Sequence, residues 1–564
     1  MARPADEAVR LIADSYHDLE SGFAEITARA PDRFERREWH LLVADVLERL
    51  GLYGPAADGC AGRIVESLGD ASLERDIWMA AKDAYRRLSD GRSDSGLAKT
   101  FYNSVTRRVL QITGVDERTQ FLADELDDPL RTPFEIFQRH QVTTDLETVI
   151  VEILEACEFA APFRRMPDDA RLVTERIAGE LADGESIVSV DVAKPVFYRG
   201  KGAYLVGRVN TENKTFPLAL ALVHKKEGIG VDAVLTAEND LSILFSFAHS
   251  YFDVDINHPH HLVAFINELV PRKRHSELFI SLGRVRHGKT ELYRELFSTL
   301  ASTDDPFVEP PGMRGLVMAV FTLPGLEMVF KVIRDSIPAQ KSLTPGQVME
   351  KYRLVYRHDR AGRLVDSQSF ERLQLPVHRF DTRLLSELVT DCSRSVRLEG
   401  DQVEIDLAYM QRRVTPLDVY VKEAGADKAS AAVVEYGNAI RDLAVTGIFP
   451  GDLLLKNFGV TRNERVVFYD YDELTELTNL HFREMPETDD AEHVMSATPW
   501  FPLGPDDVFP SEFRSFLGLT PDLLGVFLEH HSHLLEASWW KRVQTRIAGG
   551  DVVSIYPYSA DLRL

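Results

Sequence analysis

Along roughly the first 185 residues, apolar side chains recur every three or four positions, the signature of amphipathic helices. Val9, Ile12, Ala13, Tyr16, Leu19 and Phe23 form one stripe, and "WHLLVADVLERL" and "DLETVIVEILEACEF" continue the habit. Cys157 falls inside the last stripe and reads as a core residue. Near 187 the texture changes to strand-like runs, "SIVSVDVAKPVFYRGKGAYLVGRV" and "TFPLALALVHKK", punctuated by "RGKG" and "NTENKT" turns. Helical and strand segments then mix as far as "STDDPFVEPPG" at 302–312, an Asp/Pro-rich stretch that reads as a linker.

Beyond it the order is strands over 315–334, helices over about 343–359 and 381–395, and a strand at "QVEIDLAYM". A long helix follows with Val433, Ile440, Leu443 and Ala444 on one face, then a short hairpin and a helical tail. The expected class is α+β with two domains, 1–305 (helical over 1–185, mixed α/β over 186–305) and 306–564. A length of 564 residues exceeds one ordinary core, which agrees.

The formal charge of −24 argues against a general nucleic-acid binder and against docking on an anionic membrane. The basic "PRKRH" at 271–275 could meet an acidic partner locally; the plainer reading is a solvated loop before a strand. Cys60, Cys157 and Cys392 lie far apart with no metal-ligand spacing, which excludes a disulfide framework and a cysteine-rich zinc site. With no signal-peptide pattern at the N-terminus and no run long enough to span a bilayer, the expected location is cytoplasmic.

Four pieces of the C-terminal half fall in a meaningful order. "PPGMRGLVMAVF" is a turn feeding a strand, and Gly312 and Gly315 allow backbone N–H groups to approach phosphate oxygens. In "EMVFKVIRD", Val329, Lys331 and Ile333 share one strand face while Phe330 and Val332 share the other. A lysine in that setting needs a charge partner, such as a phosphate of ATP; the plainer reading is an edge-strand lysine reaching solvent. In "FPGDLLLKNFGV", Asp452 and Asn457 stand at the D-x-x-x-x-N interval of a kinase catalytic loop, one to orient a hydroxyl and the other to bind a metal. "RVVFYDYDE" places Asp470 thirteen positions after Asn457, the interval that a hairpin turned at "TRNE" folds back into one metal site. Asp472, where ordinary kinases carry glycine, is a second carboxylate on the same side as Asp470, suited to orienting or deprotonating a water.

"MRGLVMAVFTLPGLEMVFKVIRD", "FPGDLLLKNFGVTRNERVVFYDYDE" and "VFYRGKGAYLVGRV" together resemble the isocitrate dehydrogenase kinase/phosphatase family over nearly the whole chain. The resemblance implies an N-terminal regulatory domain and a bilobal protein-kinase-like domain. It implies a bifunctional enzyme that phosphorylates and dephosphorylates a serine of isocitrate dehydrogenase, setting the branch between the citric acid cycle and the glyoxylate bypass. ATP, Mg²⁺ or Mn²⁺, and AMP or ADP as regulators or co-substrate follow from it. Position by position it makes Pro310, Pro311, Gly312, Met313, Arg314, Gly315 and Leu316 the nucleotide loop, Lys331 the phosphate lysine, Asp452 the catalytic aspartate, and Asn457 and Asp470 the metal ligands. Asp366 becomes an active-site residue on the resemblance alone, since from the sequence it reads as a helix N-cap. Oligomeric state is left open, a homodimer being one option.

Several features depart from ordinary kinases. "FPGD" stands for H-R-D and "DYD" for D-F-G, and the missing arginine argues against control by an activation-loop phosphate. No A-P-E follows; "SATPWFPLG" is a loose echo. The glutamate that would pair with Lys331 is unassigned, Glu350 and Glu371 both lying on expected helices. Two motifs compete. "GRVRHGKT" at 283–290 matches the P-loop pattern, with a strand expected at "ELFISL" and a helix after it. That would make the chain a P-loop ATPase built on Lys289; its bulky residues favour instead a turn at Gly288 and a solvated Lys289. "YFDVDINHPHHL" gathers Asp253, Asp255, His258, His260 and His261 as metal-type ligands, or starts a helix at Pro259. A kinase-like scaffold without activity is the remaining alternative, opposed by the intact Lys331, Asp452, Asn457 and Asp470.

Overall fold

The computed structural model describes residues 2–564 apart from 113, 115, 123–135, 248–250, 313, 339–340, 342, 359, 487–500 and 554. The N-terminal stripes become helices Ala2–Thr27, Trp39–Leu68, Arg75–Ser89 and Ser95–Leu110. Ile12, Tyr16 and Leu19 are buried as the periodicity requires, with Val9, Ala13 and Phe23 packed against the same core. Cys60 is buried in that core, and Cys157 packs at the margin of another.

Strands Phe137–Gln141, Ile187–Ala193, Gly202–Thr211, Thr215–Lys225 and Gly228–Leu235 form one antiparallel sheet, with Phe197–Arg199 paired to the start of Gly202–Thr211. Phe137–Gln141 is a strand inside the span expected to be helical. Both faces of this sheet are covered, which is why its strands read as nearly unbroken apolar runs. Tyr204, Val206, Ala219 and Ala221 face the helical core, while Leu205, Val209, Leu218 and Leu220 face helices Leu146–Glu155 and Met166–Ala178. Among the described residues no helix is long and apolar enough to cross a membrane.

The C-terminal unit is bilobal. In its first lobe Gln402–Arg412 is the central strand. Ser367–Pro376 runs along one edge, and Val396–Glu399 and Met328–Ile333 share the other, with Met318–Leu323 outermost. The outer face buries Phe321, Phe330 and Val332 against helices Val285–Ser302 and Thr382–Asp391. The inner face carries Lys331 and Tyr409, opposite each other in register. Behind it lies helix Pro345–His358, whose Tyr352 stacks on Tyr409 at 3.9 Å. The linker candidate is tied down: Phe307 is fully buried and bridges to Phe380.

The second lobe is built on helix Ala426–Val445, which buries Val433, Tyr436, Ile440, Leu443 and Ala444. Gly437 lets His531 of helix Pro521–His531 approach its backbone, where any side chain would collide with the ring. The expected hairpin forms from Phe458–Val460 and Val466–Phe468.

Candidate active site

Between the lobes, and reaching the N-terminal domain, lies a cavity of about 1120 Å³. Pro310, Pro311, Gly312, Arg314, Gly315, Leu316, Lys331, Asp366, Asn457, Asp470 and Asp472 all line it. Met313 lies outside the described residues. Gly312 takes a φ of +120°, open to glycine and strained for other residues. At Gly315 a Cβ would stand 2.6 Å from the Met318 carbonyl oxygen, so this position too must be bare. Arg314 turns outward to Glu387 at 2.8 Å and Asp391 at 3.3 Å, and Arg334 grips the same two acids, pinning the loop to helix Thr382–Asp391.

Lys331 is no edge lysine. Its strand is paired on both sides, its side chain is buried, and Nζ donates to the Tyr469 carbonyl at 2.7 Å. Burial lowers its pKa, opposed by the charges of Asp470 and Asp472, which are its acidic partners. Glu371 lies on strand Ser367–Pro376, not on a helix. Glu350 is on helix Pro345–His358 but bonds Arg353 at the surface. The carboxylates that offset Lys331 therefore come from the "DYD" turn.

The hairpin brings the metal candidates together. Phe458 pairs with Phe468, and the Tyr469 N–H donates to the Asn457 carbonyl at 3.1 Å, so Asp470 follows immediately beside Asn457. Asp472 is buried, and its Oδ1 has no hydrogen-bond partner among the described residues. Burial and the neighbouring Asp470 charge push its pKa up. An amide oxygen and two carboxylates, one with an orphaned buried oxygen, suit a hard divalent cation that takes its other ligands from phosphates and water. No cluster of three or more His, Cys, Asp or Glu fit for a metal occurs among the described residues, so such an ion depends on those outside ligands.

Asp452 does not line the cavity. It stands beside it, half-buried, with Oδ1 accepting from Leu454 N–H at 3.1 Å. Burial and Glu473 raise its pKa while Lys341 and Lys456, which do line the cavity, lower it. Gly451 explains the local sequence: φ is +83° and a Cβ would lie 2.5 Å from that of Glu473.

Asp366 precedes a strand, so it is no helix N-cap. It reaches the cavity from the side of the N-terminal domain, with Gln368 Nε2 donating to Oδ1 at 2.8 Å. Its charged neighbours are Glu277 and Lys273, and burial pushes it up to about 6.

Two family models cover the chain, the isocitrate dehydrogenase kinase/phosphatase (AceK) regulatory domain over 9–304 and the kinase domain over 305–560. The chain belongs to the isocitrate dehydrogenase kinase/phosphatase family. Proteins of that name from Anaeromyxobacter sp. (strain Fw109-5) and Anaeromyxobacter dehalogenans (strain 2CP-C) are each 46% identical over the whole chain, which spans 99% and 98% of them. One from Xanthomonas euvesicatoria pv. vesicatoria (strain 85-10) is 40% identical over the whole chain and 98% of its own length.

For a member of the isocitrate dehydrogenase kinase/phosphatase family, the P-loop match is a decoy. "ELFISL" lies in helix His275–Ser281 and its end, not in a strand. Gly288 is no turn: it lies within helix Val285–Ser302, packed so closely that a Cβ would meet Ile280 at 2.5 Å and the Ser276 carbonyl at 2.7 Å. Lys289 is half-buried with Nζ 5.2 Å from the Phe370 ring, and burial and Arg286 lower it to about 7. The His/Asp cluster dissolves as well, since Asp253 pairs with buried Arg49 at 2.7 Å and Pro259 opens a helix. "SATPWFPLG" lies outside the described residues as far as 500.

Sequence reasoning passed over the regulatory side of the cavity. "PRKRH" precedes a helix, and its Lys273 is buried rather than solvated, its pKa lowered by burial to about 8. Glu277, paired with Arg412 at the end of the central strand, is held down at about 2 by Lys273 and Arg412 against the pull of burial. The turn of the metal hairpin is gripped from the same side: Arg462 donates to the Arg272 carbonyl at 2.7 Å and Asn463 to Ser242 at 3.1 Å. Lys456 had a signal, standing directly before Asn457; the others are joined only by the tertiary fold.

Proposed function

We propose that this chain transfers the γ-phosphoryl group of ATP to a serine of isocitrate dehydrogenase and removes it again, switching flux between the citric acid cycle and the glyoxylate bypass. The observation that carries the reading is the meeting of Lys331, Asn457, Asp470 and Asp472 on the wall of an interlobe cavity that Pro310, Pro311, Gly312, Arg314, Gly315 and Leu316 also line. Backbone N–H groups of that loop and the Lys331 ammonium hold phosphate oxygens, and Asp470 and Asp472 keep the buried ammonium charged. Asn457 and Asp470 would hold Mg²⁺ or Mn²⁺, which supplies charge neutralisation at the transferred phosphate. Asp452 accepts the serine hydroxyl proton as the oxygen attacks phosphorus, and its raised pKa suits that task.

In the reverse direction a water replaces serine as nucleophile, and Asp472, whose Oδ1 has no hydrogen-bond partner among the described residues, orients it and takes its proton. Asp366 assists from the regulatory side. Regulation by AMP or ADP rests on the family resemblance. The test is phosphate transfer from labelled ATP to purified isocitrate dehydrogenase by the full chain, followed by release from the phosphorylated substrate. A chain that binds isocitrate dehydrogenase but moves phosphate in neither direction would be the inactive scaffold instead.

A further inference from the structure

Gln411 sits near the end of the central strand Gln402–Arg412, opposite Val329, as Tyr409 sits opposite Lys331. Directly opposed residues share a sheet face, and strand alternation puts Gln411 on the face of Tyr409, so Gln411, Val329 and Lys331 all look the same way. All three line the cavity. Gln411 is 1% exposed, and neither its amide nitrogen nor its amide oxygen has a hydrogen-bond partner among the described residues. A buried carboxamide with both ends unpaired is costly to keep, and a core position could have been apolar. Ser367, opposite it on the other neighbouring strand, is likewise buried with an Oγ unpaired among the described residues, and Gln411 lines the cavity, so a group bound there is placed to supply the missing partners.

The geometry points to Gln411 as the residue that reads the nucleotide base, by a paired hydrogen bond to the N6–H and N7 edge of adenine. The inference rests on the proposal that the cavity holds ATP with its phosphates at Lys331. A strand advances about 3.3 Å per residue, so Gln411 stands roughly 7 Å along the sheet from that lysine. This is the scale of the ribose and α-phosphate that separate a purine from its β-phosphate. A glutamine amide offers one acceptor and two donors, and adenine presents a matching donor and acceptor on that edge. Guanine and hypoxanthine present two acceptors there, leaving the amide oxygen facing another oxygen. The base would then satisfy the buried amide, and the wrong base would leave it unpaired.

The test is equilibrium competition of ATP, ITP, 7-deaza-ATP and tripolyphosphate against a fluorescent ATP analogue on the full chain. Wild-type protein is expected to prefer ATP over ITP and over 7-deaza-ATP by about 5- to 150-fold, the range that one good bidentate pair supplies. Gln411→Leu, close in size, should bring the three nucleotides within about 3-fold of one another and leave tripolyphosphate unchanged, on the same conversion. Gln411→Glu keeps the acceptor and loses the donor, so it should still prefer ATP to ITP but no longer to 7-deaza-ATP. Wild-type ratios retained by Gln411→Leu, or no preference in the wild type, would overturn the inference while leaving the kinase reading intact. A wild-type chain that binds no nucleotide would overturn both.

Discussion

Replacing Asp366 by asparagine should stabilise the protein while disabling it. The carboxyl is pushed from its usual 3.8 to about 6 by burial, with Glu277 adding repulsion and Gln368 and Lys273 only partly compensating. A folded-state pKa above the unfolded one means that the folded form prefers the proton. The native carboxylate therefore costs nothing below about pH 3.8, where both states are protonated, and its full amount above about pH 6. The difference corresponds to a ceiling of about 3 kcal/mol at pH 8, and water at the cavity wall reduces it to about 1–2 kcal/mol. Asparagine removes the charge and keeps an oxygen to accept from Gln368. Its melting temperature at pH 8 should exceed the wild type's by roughly 1–4 °C, and by about half as much at pH 5. Phosphatase activity should fall about ten-fold or more with the loss of the carboxylate that assists Asp472. A variant no more stable than wild type at pH 8 would refute the reasoning, because the carboxylate would then be fully compensated in the fold.

Other consequences are independent of that one. Lys331→Ala should weaken ATP binding or slow transfer by an amount on the order of 2–5 kcal/mol, whereas Lys289→Ala should leave ATP affinity within a few-fold; nucleotide titration of both variants decides, and the reverse outcome would restore the P-loop. Asp472→Ala should lower phosphatase activity about ten-fold or more and spare most kinase activity. Equal losses in both directions would make Asp472 a general metal or structural residue. Arg462→Ala removes a charged hydrogen bond worth roughly 1.5–3 kcal/mol at the tip of the metal hairpin. It should speed amide exchange over 457–470 and raise the Mg²⁺ concentration for half-maximal activity several-fold; unchanged exchange would show that the regulatory grip is incidental.

Much of the catalytic half was legible because its chemistry is local. Period-two alternation in "EMVFKVIRD" put Lys331 on one face and Phe330 and Val332 on the other, and the sheet is built that way. The interval from Asn457 to Asp470 is the length of the hairpin that joins them. "ELFISL" failed for a physical reason: six apolar-rich residues carry too little periodicity to separate a strand from a buried helical turn. Lys273 and Glu277 were illegible because nothing near them in sequence says that they meet Arg412 and Asp366 across the domain boundary. Asp366 came from resemblance alone, since its raised pKa is a property of the cavity and not of "GRLVDSQSF". Gln411 was overlooked because an amide in a strand announces nothing until its partners are seen to be missing.

The central claim is that one constellation, Asp452 with Asn457 and Asp470, performs the phosphoryl transfer. It is tested most directly by assaying Asp452→Ala and Asp470→Ala, each verified as folded, for transfer of labelled phosphate from ATP to isocitrate dehydrogenase and for its release. Both variants should lose kinase activity, and phosphatase activity should fall with it because the pocket is shared. Full kinase turnover in either variant would contradict the account.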